Sequence, residues 1–123
     1  MHANEDQLTI ELEVGEIVTR GAEWGGQIVR HLTLRPGADF RPLLEGLPGD
    51  VCDCAHWGYV INGSIQVQYT DGSVEMNRAG DVYYWPGGHT GWTDEGVTFV
   101  EFSPAAELRP VLEHIGIRLA QAR

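Results

Sequence analysis

Ile65-Gln66-Val67-Gln68-Tyr69-Thr70-Asp71-Gly72-Ser73-Val74-Glu75-Met76 decides the fold. Apolar and polar residues alternate on both sides of Asp71-Gly72, the pattern of two half-buried strands joined by a tight turn. A two-residue Asp-Gly loop pairs Tyr69 with Val74 and Val67 with Met76, which keeps the apolar side chains on one face.

The same alternation extends in both directions. Upstream, Trp57 to Ile61 reads as a strand closed by an Asn62-Gly63 turn, and Val51 to Ala55 as short and extended. Phe40 to Asp50 carries Pro42, Gly46, Pro48 and Gly49 and reads as a loop or a broken strand. Gln27 to Arg35 is a strand ended by Pro36-Gly37. In the first strand, Leu8, Ile10, Leu12 and Val14 alternate with Thr9, Glu11 and Glu13, and Gly21 and Gly25-Gly26 break the chain after it. Downstream, Val82 to Trp85 is an aromatic strand stopped by Pro86-Gly87-Gly88, Thr90 to Thr93 is short, and Val97 to Phe102 is the last strand. Ser103 as N-cap and Pro104 at the first position then predict a helix over 104–122. Leu108, Val111, Leu112, Ile115 and Leu119 are its apolar stripe, and Pro110 predicts a kink or a restart. About nine short strands followed by one helix make an all-β chain, an antiparallel jelly-roll β-barrel with a C-terminal α-helix.

The 123 residues make one domain, long enough to bury a core. Residues 1–7 are polar and predicted to be disordered. Eighteen acidic residues against eight basic ones, all arginine, give a net charge of −10. That balance argues against nucleic acid or an anionic membrane as partner. The N-terminus lacks the features of a signal peptide and no apolar run approaches a membrane span, so a cytoplasmic protein is expected. Cys52 and Cys54 are too closely spaced for an unstrained disulfide on an extended chain. They are expected to be free thiols or metal ligands.

Those cysteines belong to Cys52-Asp53-Cys54-Ala55-His56, and a second imidazole follows at His89. Thiolate and imidazole suit a divalent ion such as zinc or iron rather than magnesium or calcium. Two or three of Cys52, Cys54, His56 and His89 with water would make an open site, and all four a closed structural one. Aromatic residues crowd the same stretches. Trp57, Tyr59, Tyr84 and Trp92 are the candidate wall of a small-molecule pocket, and the other reading is core packing with a dimer face. Glu101 is a candidate general base, though an exposed strand face explains it as well.

Two segments resemble the motifs of the cupin superfamily. Gly80-Asp81, a strand and then Pro86-x-Gly88 are similar to the second cupin motif, and His56 with Gly63 to the end of the first. Leu34-Arg35-Pro36-Gly37 is similar to the strand end that precedes the first motif. The resemblance covers about 28–103 and implies a cupin barrel with Cys52, His56 and His89 turned into its lumen. His56 stands where the motif has its glutamate, Asp50 and Cys52 where it has two histidines, and His89 two residues before the expected Gly91 position. The usual three-histidine, one-glutamate centre therefore does not carry over. What the resemblance implies is a metal-binding protein acting on a small organic ligand, with oxygenase, isomerase, lyase and cyclase chemistry all open, and a homodimer. The alternative is a non-catalytic binding or sensor protein, with or without metal.

Overall fold

The computed structural model describes residues 1–121. Among the described residues there are eight strands: β1 (Thr9–Val14), β2 (Ile17–Trp24), β3 (Gln27–Leu34), β4 (His56–Tyr69), β5 (Val74–Arg78), β6 (Val82–Trp85), β7 (His89–Trp92) and β8 (Val97–Pro104). Helix α1 (Arg41–Leu44), helix α2 (Ala105–Gln121) and two 3-10 turns, Glu5–Gln7 and Pro48–Asp50, are the other elements. All strand pairs are antiparallel, in the order β1-β2-β3-β8-β4-β5, with β6 and β7 also on β4.

β4 organises the barrel. Asn62-Gly63 does not end it as a turn; the register slips between Val60 and Asn62 and the strand continues. Its first half pairs with β6 and β8 and its second half with β5 and β7. A bulge bends a strand and raises its twist, which lets one strand serve two sheets and accounts for eight strands rather than nine.

The hairpin closes one residue out of the expected register. Gln68 faces Val74 and Gln66 faces Met76, while the Tyr69 amide donates to the Ser73 carbonyl at 2.9 Å. The loop is thus three residues, Thr70 to Gly72, with Gly72 at φ +86°. A slip of one reverses every side chain. Val74 and Met76 therefore point outward, and Asn77 is buried, accepting from Trp85 Nε1 at 2.8 Å.

Leu32, Leu34, Val60, Ile65, Val67, Tyr83, Trp85 and Phe99 fill the barrel. A second apolar layer joins Ile28, Leu44, Cys52 and Cys54 to Ala105, Leu108, Val111 and Ile115 of α2. The apolar stripe of α2 thus covers the barrel rather than solvent. Pro104 closes β8, so the helix begins at Ala105, and Pro110 lies inside it without ending it. Ala122, the expected last helical residue, lies outside the described residues. Three bonds tie α2 to the α1 segment: His114 Nε2 donates to the Glu45 carbonyl at 2.8 Å, and Arg118 Nη2 donates to the Pro42 carbonyl at 3.1 Å and to the Glu45 carboxylate at 3.4 Å. Near the N-terminus, Glu5–Gln7 form a 3-10 turn with an Asn4 capping box, within the stretch expected to be disordered.

Candidate metal centre

Backbone pairing brings the two separated stretches together. The Cys52 amide donates to the His89 carbonyl at 2.8 Å, and the Gly88 amide donates to the Cys52 carbonyl at 2.8 Å. The loop between β6 and β7 can sit this close because Gly87 has no side chain; a Cβ there would stand 2.4 Å from the Asp53 carbonyl oxygen. Cys52 is thereby held beside His89, and His56 starts β4 opposite Trp85.

Cys52, His56 and His89 are all buried, and one donor atom of each lies within 4.8 Å of the others. Cys52 Sγ stands 3.5 Å from His56 Nε2. Sulfur and nitrogen donors of a tetrahedral zinc centre stand about 3.5 Å apart at ordinary bond lengths, so the donor set and spacing fit a metal ion. The imidazoles meet edge to face with centroids 4.8 Å apart.

Each ring is aimed by its second nitrogen. His89 Nδ1 lies 2.8 Å from the Pro86 carbonyl, which only accepts, so Nδ1 carries the proton and Nε2 keeps its lone pair. His56 Nδ1 lies 2.6 Å from Ser103 Oγ and 3.6 Å from Glu101 Oε2. Protonated on that side, it too leaves Nε2 free. Such outer partners set the tautomer and orientation of metal-binding histidines.

Burial governs the proton affinities. It lowers the His56 pKa to about 3, helped by the Arg30 charge, and the His89 pKa to about 4, helped by His56. Burial also pushes the Cys52 thiol up to about 12. Without a cation, this cluster is two neutral imidazoles and a thiol.

Glu101 does not occupy an exposed strand face. It is 2% exposed, accepts from Arg30 Nη1 at 2.9 Å and from the Tyr83 hydroxyl at 3.1 Å, and burial raises its pKa against the pull of Arg30. Arg30 also binds Glu11 at 3.0 Å. Glu11 was expected on the polar face of β1. The register of β1 slips between Ile10 and Leu12, and Gly21 leaves room: a Cβ there would lie 2.6 Å from the Glu11 carboxylate. Gly21 therefore sits within β2 rather than breaking the chain.

The other expected site residues lie elsewhere. Cys54 is buried, but its Sγ turns to the Ala55 carbonyl at 3.4 Å, and it packs in the helix layer instead of joining the cluster. Trp57, Tyr59 and Tyr84 are exposed on the outer face, with Trp57 stacked on Tyr84. Trp92 lies under the Arg41 guanidinium, 4.2 Å from its ring centroid. None of these four lines the cavity beside the cluster. That cavity holds about 60 Å³ and is walled mainly by aliphatic residues and by Phe40, Trp85 and Phe99. Leu108, Val111 and Ile115 of α2 close it from above, and the Arg30–Glu101 pair forms its charged side.

No family model matches the chain, and no curated protein matches it. Solved structures do. An RmlC-like cupin from Shewanella frigidimarina is 19% identical, with a TM-score of 0.61 over 85% of this chain and 91% of that one. Oxalate decarboxylase of Bacillus subtilis is 21% identical, with a TM-score of 0.59 over 80% of this chain. The match spans only 28% of the decarboxylase, a protein described by its Mn(II) centres. A Salmonella typhimurium protein assigned to ethanolamine utilization is 15% identical, with a TM-score of 0.56 over 72% of this chain and 70% of that one. What these neighbours share with the chain is the fold, and that fold is the antiparallel barrel of the cupins.

Proposed function

We propose that this chain is a metal-dependent cupin in which Cys52, His56 and His89 hold one divalent ion, zinc or iron, beside a cavity that receives a small organic molecule. The supporting observation is the 3.5 Å approach of Cys52 Sγ to His56 Nε2, with His89 in the same cluster. A sulfur and two nitrogens are softer donors than the hard oxygen ligands that suit manganese or magnesium. A bound ion supplies Lewis acidity to an oxygen or nitrogen of the ligand. Ser103, Glu101 and the Pro86 carbonyl hold the imidazoles with their lone pairs inward. The aliphatic wall excludes water and strengthens charge interactions inside. Cys52 delivers its proton when the ion binds, so loading releases acid. The protein acts as a homodimer in the cytoplasm, where two unpaired thiols stay reduced.

A second reading is binding without turnover. In either reading the cavity of about 60 Å³ beneath α2 restricts the ligand to one smaller than the drug-sized molecules that fill roughly 300–1,000 Å³ pockets.

Metal analysis of untagged protein tests the first reading. Wild type should carry stoichiometric zinc or iron, and His56→Ala with His89→Ala should carry none. Metal-free wild type that takes up neither ion on reconstitution would sink it. A thermal-shift screen of small metabolites, followed by a product assay, separates turnover from binding alone.

A further inference from the structure

The charged side of the cavity has a definite sign. Arg30 meets two carboxylates, Glu11 at 3.0 Å and Glu101 at 2.9 Å, so the trio carries one negative charge in excess. Glu101 stands between two donors. One of its oxygens accepts from the Arg30 guanidinium and the other from the Tyr83 hydroxyl at 3.1 Å, the surroundings of a carboxylate. The Arg30 charge is thus already matched twice over, and no free cation remains in the wall to receive an anionic ligand.

The centre beside it completes the balance. A divalent ion held by Cys52, His56 and His89 brings two positive charges, and the Cys52 thiolate that binds it brings one negative. Together they contribute one positive charge, which cancels the excess of the trio. Apart from the centre, Arg30 and Glu101 are the only charged residues that line the cavity, among the described residues. A charged guest would therefore stay uncompensated against a mainly aliphatic wall, and an unpaired charge taken out of water is costly.

Size and hydrogen bonding narrow the class. An apolar cavity of about 150 Å³ takes benzene, so one of about 60 Å³ takes a molecule of about three or four heavy atoms. The ion asks the guest for a lone pair. Glu101 accepts from two groups and has lone-pair sites to spare, so it asks for an N–H or an O–H.

We infer that the ligand is a small uncharged molecule with a carbonyl oxygen for the ion and an N–H or O–H for Glu101, as in a primary amide, and that carboxylates are refused. The inference rests on the metal reading above and gives that centre its ligand class.

Acetamide, acetate and acetamidinium test it, because they are alike in shape and are neutral, negative and positive in turn. Each is titrated into isotope-labelled, zinc-loaded protein and followed by the indole N–H resonance of Trp85, a residue of the cavity wall. Acetamide should bind at least tenfold more tightly than either ion. Glu11→Gln removes one negative charge while keeping an acceptor for Arg30, so acetate should gain about tenfold on acetamide in that variant. In metal-free protein the excess negative charge stands alone, and acetamidinium should bind more tightly than acetate. Acetate or acetamidinium binding the loaded protein as well as acetamide overturns the inference, as does a loaded protein that binds none of the three. So does acetate outbinding acetamidinium in metal-free protein, or a folded Glu11→Gln chain with the wild-type ratio. Should that variant fail to fold, the wild-type order carries the test. Zinc content of the same samples keeps the two proposals apart: a chain that takes up no zinc sinks the metal reading and this ligand class with it, whereas loaded protein with the wrong order sinks the ligand class alone.

Discussion

β4, β6 and β8 present two chemistries on two faces. Inward stand His56, Tyr83, Trp85, Glu101 and Ser103; outward, one residue away along the same strands, stand Trp57, Tyr84, Val82 and Phe102. Each of these inward polar groups has a fixed partner within the barrel. Outward, the side chains are held only by neighbours on the sheet. A period of two places both sets on the same backbone, so each face can change without the other.

Adjacent residues of β8 give the largest contrast. Glu101→Leu leaves Arg30 buried with Glu11 as its one ion-pair partner and strips the Tyr83 hydroxyl of its acceptor. Breaking a buried charge pair costs about 3–5 kcal/mol. Phe102→Ser, one residue on, should change the stability of the isolated monomer by about 0.5 kcal/mol or less, as exposed positions do. Urea unfolding of both variants, at concentrations where the chain is monomeric, measures the pair. Equal losses would mean that the faces are not energetically distinct.

Titration separates the faces next. His56 and His89 are buried neutral, with pKa values near 3 and 4, while in the unfolded chain a histidine takes up its proton near 6.5. The unfolded state therefore binds more protons once the pH falls below about 6.5. The stability these groups contribute is complete above that pH and is lost progressively down to about 4 and then 3. Glu101, raised by burial, works in the opposite sense, so the histidine contribution is read from pH 6.5 to 5 as the difference between wild type and the variant that lacks both imidazoles. Chelator-treated protein should lose melting temperature over that interval. His56→Leu with His89→Leu should flatten the slope, whereas Trp57→Leu on the outer face should leave it intact. A wild-type melting temperature constant from 6.5 to 5 would break the assignment.

The two faces also mark what could be read from the residues. Turn residues and alternation were enough for an antiparallel barrel, because most strands are short and most are followed within three residues by glycine or proline. Alternation defines two faces without saying which is inside. If His56 points into the barrel, Trp57 and Tyr59 must point out, and if His89 points in, Trp92 must not. That parity was legible, and it rules out the aromatic wall expected from those residues. Tyr84 follows from its pairing with Trp57, which local sequence does not specify. The buried Glu11–Arg30–Glu101 network was less accessible still. It depends on a one-residue slip in β1 and on three strands meeting in space.

The smallest effect lies in the two cysteines, where expectation and geometry differ most. Both thiols are buried and pushed up to about 12 by burial, so neither is a free nucleophile at neutral pH. They differ in direction. Cys52 Sγ faces His56, while Cys54 Sγ faces the Ala55 carbonyl and the layer under α2. Cys54→Ala should therefore cost about 1 kcal/mol, the value of a small buried group, and leave metal content unchanged. Cys52→Ala should cost a comparable amount in chelator-treated protein and abolish high-affinity binding. Absorption of the cobalt-substituted protein reads this directly, since a thiolate–cobalt charge-transfer band should persist in Cys54→Ala and vanish in Cys52→Ala. Loss of the band in both variants would make the centre a two-thiolate site, and Cys54 would then have to turn away from the helix layer to reach the ion.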